Sequence, residues 1–152
     1  MIREGERLSW PGLCLEAKES LIEGAGRGLF STEAREEGDL LCKYEGTVLR
    51  TAEALRLEDK TYLMRLGTQC YVDAREHEDV ACRYINDCRN VKGHNVKFIK
   101  KPEEECALAV ATRRLVRGEE LYVDYGKWYW ASFKNAKKLS DDKVVEARIE
   151  RK

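Results

Sequence analysis

Three short segments hold most of the residues whose types and spacing can do chemistry. The first is Glu23-Gly24-Ala25-Gly26-Arg27-Gly28-Leu29-Phe30. Alternating glycines let backbone approach a ligand without Cβ obstruction, although they equally suit a turn between strands. A dinucleotide fingerprint fails here, because Leu29 stands where its last glycine belongs, and no phosphate-binding Gly-Lys-Ser/Thr is present. The second segment is Arg83-Tyr84-Ile85-Asn86-Asp87-Cys88-Arg89-Asn90. Its crowded amides and charges fit either a turn or a polar site placed after a strand. The third, Arg117-Gly118-Glu119-Glu120-Leu121-Tyr122-Val123-Asp124-Tyr125-Gly126, reads as a turn leading into a short strand that carries Asp124 and Tyr125. The plainer alternative is an ordinary strand with one buried tyrosine. A nucleophilic triad is not indicated, since His77 and His94 are the only histidines and neither sits in a recognisable arrangement with Ser or Cys. Cys82, Cys88 and His94 are evenly spaced, but the structural zinc pattern is missing, so no metal is expected.

The elements that must position these segments are short. Glycines interrupt the chain too often for long helices, and only Pro11 and Pro102 add prolines. Strands are expected at Leu13–Lys18, Leu40–Tyr44, Cys70–Ala74, Asn95–Ile99, Ala107–Ala111 and Leu121–Tyr125. Thr51 is expected to cap a short helix through Leu57, and the chain from Ala131 onward reads as helical. The 152 residues suit one domain, and 28 basic against 28 acidic side chains give no net charge. That balance argues against direct nucleic-acid partners and against a charged disordered tail. No apolar run approaches the roughly 18 residues that span a bilayer, so no membrane partner is expected. The charged N-terminus lacks the core of a signal peptide, and the expectation is a soluble intracellular chain with six cysteines present as free thiols.

Taken in order, the three segments resemble the SET-domain protein lysine methyltransferases, from about Leu15 to about Trp130. Gly24 to Phe30 is similar to that family's glycine motif, and Tyr44-Glu45-Gly46 to its Tyr-x-Gly element. Tyr62-Leu63 and Tyr71-Val72-Asp73-Ala74 resemble its middle strands. Arg83-Tyr84-Ile85-Asn86 resembles its Arg-Phe-Ile-Asn-His-Ser-Cys motif, with Asp87 where histidine is usual. Gly118 to Gly126 resembles its Glu-Leu-x-x-Asp-Tyr element.

The resemblance implies a mainly β fold with short helices: small curved sheets around a pseudoknot, and a helical C-terminus. It implies an N-terminal extension over 1–14, the SET domain over 15–127, and an aromatic and helical segment over 128–152 without the zinc-binding segment of many relatives. The implied activity is methyl transfer from S-adenosyl-L-methionine to a lysine side-chain amine in a protein or peptide, a histone tail and hence chromatin being the family default. Tyr125 would be catalytic. Ala25, Gly26, Arg27, Tyr62, Arg83, Asn86, Asp87 and Trp130 would bind the cofactor. Tyr44, Val123, Tyr125 and Trp128 would line the lysine channel. A monomer is expected, nuclear if directed at histones. The competing expectation is a catalytically weak or inactive SET-like module that binds a peptide or protein. Because a lysine channel must receive basic chains, Glu45, Glu53, Glu58, Asp59, Glu76, Glu78 and Asp79 are expected to form an acidic face.

Overall fold

The computed structural model describes residues 7–126. Among the described residues nine strands follow one another: β1 (Leu8–Trp10), β2 (Leu15–Glu19), β3 (Arg27–Ser31), β4 (Leu40–Tyr44), β5 (Thr47–Leu49), β6 (Leu63–Gly67), β7 (Cys70–Asp73), β8 (Val96–Lys101) and β9 (Cys106–Ala111). They make three antiparallel three-stranded sheets, ordered β1-β2-β3, β4-β9-β8 and β5-β7-β6. In β2, Leu15 and Ala17 are buried while Glu16 and Lys18 are only partly covered, the period-two pattern of a strand with one wet face. β9 is apolar along most of its length because it runs between β4 and β8. β8 lies at the sheet edge and carries Lys97, Lys100 and Lys101, charges that discourage further strand pairing. The mainly β architecture of small sheets is therefore as expected. The helical C-terminus falls outside the described residues.

The helix expected after Thr51 is present as α1 (Thr51–Leu55), but it starts one residue earlier than a Thr51 cap requires. Arg50 is the N-cap, and its N–H donates to Glu53 Oε1 at 3.0 Å. The Thr51 N–H turns outward to Gln69 Oε1 at 3.2 Å, so a neighbouring side chain displaced the cap that local sequence favoured. The strand expected over Leu121–Tyr125 is also corrected. It forms only isolated parallel bridges, Asn86 with Tyr122 and Val96 with Val123, because its partners lie in two different segments.

Those two bridges define the crossing at the centre of the fold. On one side Val123 N–H donates to the Asn86 carbonyl at 3.0 Å. On the other, Asn95 and Val96 N–H groups donate to the Tyr122 carbonyl at 2.9 and 3.1 Å. The chain between residues 86 and 96 thus passes round the 121–125 segment, which runs through it in the knot-like arrangement expected. Leu121, Val123 and Ile85 are buried there, in the core cluster shared with Leu15, Leu29, Leu41, Val72 and Leu115.

Two further features shape this core. Cys42 on β4 and Cys82 in the 3-10 turn Ala81–Tyr84 form a disulfide with Cα atoms 6.1 Å apart. This corrects the expectation that every cysteine is a free thiol; the partners are 40 residues apart in sequence, and only the packing of that turn on β4 brings them together. Gly28 on β3 is fixed by sterics. A Cβ there would stand 2.1 Å from Glu120 Oε2 and 3.2 Å from Ser20 Cβ. Gly28→Ala is therefore expected to destabilise the domain by about 1–3 kcal/mol, the usual cost of overpacking a filled site. Urea denaturation measures this, and an unchanged midpoint would mean that Glu120 can move aside.

Candidate active site

Gly24 and Gly26 adopt left-handed φ values of +81° and +73°, and among the described residues no atom beyond the chain neighbours lies within 4 Å of a Cβ built on either. The loop is held from behind by Ala25 N–H donating to the Ile22 carbonyl at 3.2 Å and by Ser20 N–H donating to the Gly26 carbonyl at 2.8 Å. Its backbone is consequently fixed on one side, while the space beside Gly24 and Gly26 is clear of other described residues.

Asn86 joins this loop to the crossing. Its side-chain amide donates to the Arg27 carbonyl at 3.0 Å and lies 3.4 Å from Glu120 Oε2. Glu120 is 2% exposed and gathers donors from three segments. Ser20 Oγ donates to its Oε2 at 2.7 Å; the Leu21 N–H and the Tyr122 hydroxyl reach its Oε1, each at 2.9 Å. Asn95 braces the same residue, donating to the Glu120 carbonyl at 3.0 Å and accepting from Tyr122 N–H at 2.7 Å. Sequence reasoning missed Glu120, Asn95 and Ser20 as site-building residues. The one available signal was a carboxylate entering an apolar run; its partner Ser20 lies 100 positions away.

Tyr125 is anchored at both ends. Its hydroxyl donates to the Ile85 carbonyl at 2.5 Å, and its N–H donates to Asp87 Oδ2 at 2.9 Å. The other oxygen of Asp87 meets Arg89 N–H at 2.6 Å and His94 Nε2 at 2.8 Å. His94 and Cys82 are thereby engaged with Asp87 and with Cys42, and Cys88 Sγ lies 3.3 Å from the Asn90 carbonyl. Among the described residues no cluster of three or more His, Cys, Asp or Glu could hold a metal.

A second group completes the site. Tyr44 is buried, donates from its hydroxyl to the Tyr62 carbonyl at 2.6 Å and packs edge-on against Phe98 at 5.7 Å. The Arg83 guanidinium lies 4.0 Å from the centre of the Tyr62 ring and 5.2 Å from that of Tyr84. Its Nη1 donates to the Ala74 and Arg75 carbonyls, each at 3.1 Å. Burial pushes the Tyr84 hydroxyl up from its usual range, against the opposing charges of Arg83 and Arg27, so Tyr84 stays a neutral phenol between the two groups.

Of the expected site residues, Arg27, Asn86, Val123, Asp87 and Tyr125 thus form one bonded series, and Tyr44, Tyr62 and Arg83 another. Trp128 and Trp130 lie outside the described residues. The expected acidic face is divided. Glu53 is engaged by the α1 N-cap and Asp59 by Arg75 at 3.7 Å, whereas Glu76, Glu78 and Asp79 line a cleft of about 660 Å³ with Trp10 and Arg75.

A three-sheet domain crossed by its own later segment, with a glycine loop, an asparagine and a tyrosine gathered at the crossing, is the architecture expected of a SET domain. The family described as SET domain matches residues 26–126, and the chain belongs to it. The chain is 33% identical to a zebrafish (Danio rerio) protein named N-lysine methyltransferase KMT5A-A over 121 residues, covering 69% of this chain and 33% of that protein. It is 29% identical to N-lysine methyltransferase KMT5A of Xenopus tropicalis over 125 residues, 72% of this chain and 35% of that one. Histone-lysine N-methyltransferase trithorax of Drosophila melanogaster matches at 31% over 107 residues, 66% of this chain and 3% of its own length. The chain spans about a third of the length of the two N-lysine methyltransferases.

Charge also steadies the turn leading into Glu120. Burial works to raise the Glu119 carboxyl, but hydrogen bonds from Arg113, Val116 N–H and Asn95 outweigh it and hold the group below its ordinary 4.5. A carboxyl depressed in the folded state contributes stability above its unfolded pKa and loses it as pH falls through the folded one. Arg113→Gln is therefore expected to lower stability at pH 6–7 and to matter progressively less as the pH drops below about 4.5. Thermal melts of both proteins across that range check the sign; a deficit that persists undiminished at pH 2 would place the Arg113 contribution elsewhere.

Proposed function

We propose that this domain transfers a methyl group from S-adenosyl-L-methionine to the side-chain amine of a lysine in a protein substrate, with a histone as the first candidate. The observation that carries the reading is the pinning of Tyr125 and Asn86 beside the open glycine loop, through Ile85, Asp87 and Arg27. Membership of the SET-domain family and similarity to proteins named N-lysine and histone-lysine methyltransferases support it.

The residues at the site suit the cofactor. The glycine loop of Ala25, Gly26 and Arg27 leaves room for a ligand at Gly26, where no other described residue comes within 4 Å of the Cβ position. Arg83 Nε is buried and meets no hydrogen-bond partner among the described residues, so a cationic donor stands ready for a carboxylate. Asn86, Tyr62, Arg83 and the backbone of Asp87 are the other described members of the expected binding set, to which Trp130 also belongs. Bound there, S-adenosyl-L-methionine supplies an electrophilic methyl group on a positively charged sulfur.

The chain's own part is orientation and exclusion of water. A free lysine has a pKa of about 10.4, so at pH 7 only about one in 2,500 is neutral and nucleophilic, a handicap of roughly 4.6 kcal/mol. Apolar walls from Tyr44 and Val123, both buried, favour the neutral amine by denying the charged form its water. The Tyr125 hydroxyl donates to the Ile85 carbonyl, which fixes the orientation of the hydroxyl and leaves its oxygen lone pairs to serve as acceptors. Preorganised dipoles of this kind commonly contribute about a hundredfold or more in rate. A monomeric enzyme acting on a basic protein chain, rather than on nucleic acid or membrane, fits the balanced charge; a histone substrate would make its compartment nuclear.

Incubation with histones and isotopically labelled cofactor, read by mass spectrometry, tests the reaction. Tyr125→Phe is expected to lower kcat about a hundredfold while cofactor affinity holds. Asn86→Ala is expected to weaken cofactor binding by about tenfold in calorimetry, since it also frees the Arg27 carbonyl. Cofactor binding without methyl transfer to any protein lysine would favour the inactive binding module, and Tyr125→Phe with unchanged turnover would remove the catalytic assignment.

A further inference from the structure

We infer that Asp87, with His94 behind it, is the positioning residue for Tyr125: its side chain serves the tyrosine, not the cofactor. The inference rests on the reading of Tyr125 as the catalytic tyrosine. The Asp87 side chain is 1% exposed, and donors reach both of its oxygens. Oδ1 takes Arg89 N–H at 2.6 Å and His94 Nε2 at 2.8 Å, closing the 87–94 loop on itself. Oδ2 takes Tyr125 N–H at 2.9 Å, fastening that loop to the segment running through it.

The geometry makes this a clamp. Tyr125 is tied to the loop twice, by its N–H to Asp87 and by its hydroxyl to the Ile85 carbonyl two residues earlier. The two bonds set the position of the tyrosine backbone and the tilt of its ring independently. Only a carboxylate supplies enough acceptors here, because three donors converge on it; a neutral imidazole at position 87 would offer one acceptor nitrogen. A carboxylate accepts only, so His94 presents Nε2 as its donor, and its side chain is itself only 16% exposed. The pair works as one unit: His94 fixes the carboxylate plane, and the carboxylate fixes Tyr125.

Amide hydrogen exchange and steady-state kinetics together test the proposal on the full chain. Asp87→Asn keeps the shape but puts an amide nitrogen in place of one acceptor. In that variant the Tyr125 amide is expected to exchange at least tenfold faster, while the Val123 amide, bonded to the Asn86 carbonyl at 3.0 Å, exchanges at its wild-type rate. The kcat is expected to fall about tenfold with the cofactor KM unchanged within about twofold, the signature of lost orientation rather than lost binding. His94→Ala is expected to show the same two changes in weaker form. His94→Gln, whose amide nitrogen reaches to the place of Nε2, is expected to restore most of the loss. Should Asp87→Asn fail to fold, the His94 pair alone decides. Unaltered exchange at Tyr125 in the variants would overturn the clamp, as would a defect confined to cofactor KM or a His94→Gln no better than His94→Ala. Wild-type protein without methyl transfer would instead count against the enzymatic reading, and Tyr125 exchange would still judge the clamp by itself.

Discussion

Glu120 is 2% exposed, and a carboxylate removed from water is costly unless donors replace the lost solvation. Here a serine hydroxyl, a backbone N–H and a tyrosine hydroxyl replace it, with the Asn86 amide close by. Each donor comes from a part of the chain that has a second task. Ser20 precedes the glycine loop, Asn86 holds that loop from the other side, and Tyr122 begins the segment that ends in Tyr125. Satisfying one buried charge therefore assembles the site. The same charge explains why position 28 has no side chain, since the carboxylate occupies the space a Cβ would need.

The crossing follows from this requirement. A segment that must meet Leu29, Asn86 and Asn95 at once cannot belong to one regular sheet, and its hydrogen bonds go to residues drawn from all three neighbourhoods. Regular pairing is given up along residues 121–125, and the backbone groups are satisfied one by one. Apolar side chains still fill the space beneath, so Leu121 and Val123 are buried as they would be in a strand. The crossing and the core are the same structure seen from its polar and apolar sides.

What the sequence made legible was the set of chemically committed residues. The glycine loop, Asn86 and Tyr125 stand in motifs whose types and order are readable, and strands such as Leu40–Tyr44 are readable because apolar runs between turn residues have few other outcomes. The partnerships were not legible. The Cys42–Cys82 bridge, the Ser20–Glu120 bond and the Asp87–Tyr125 bond link positions 40, 100 and 38 residues apart, and no local pattern encodes which distant group a side chain will meet. The Thr51 cap failed for the same reason, because Gln69 arrives from β6–β7 to take the N–H. The Leu121–Tyr125 segment is buried as a strand would be but builds no ladder, because its backbone bonds go to Leu29, Asn86, Asn95 and Val96 in separate parts of the chain.

Threading a late segment through an earlier loop also dictates when the site can exist. The β1-β2-β3 and β5-β7-β6 sheets can pair as they emerge during synthesis, at about 5–20 residues per second, but the Glu120 carboxylate that joins their surroundings arrives later. Until then the Ser20 hydroxyl, the Leu21 N–H and the Asn86 amide lack the acceptor they share in the finished domain. Contacts that close over 100 residues are slow and carry their entropy cost before any reward. Until Glu120 has been made, the nascent chain therefore lacks the one group that draws these donors to a common centre.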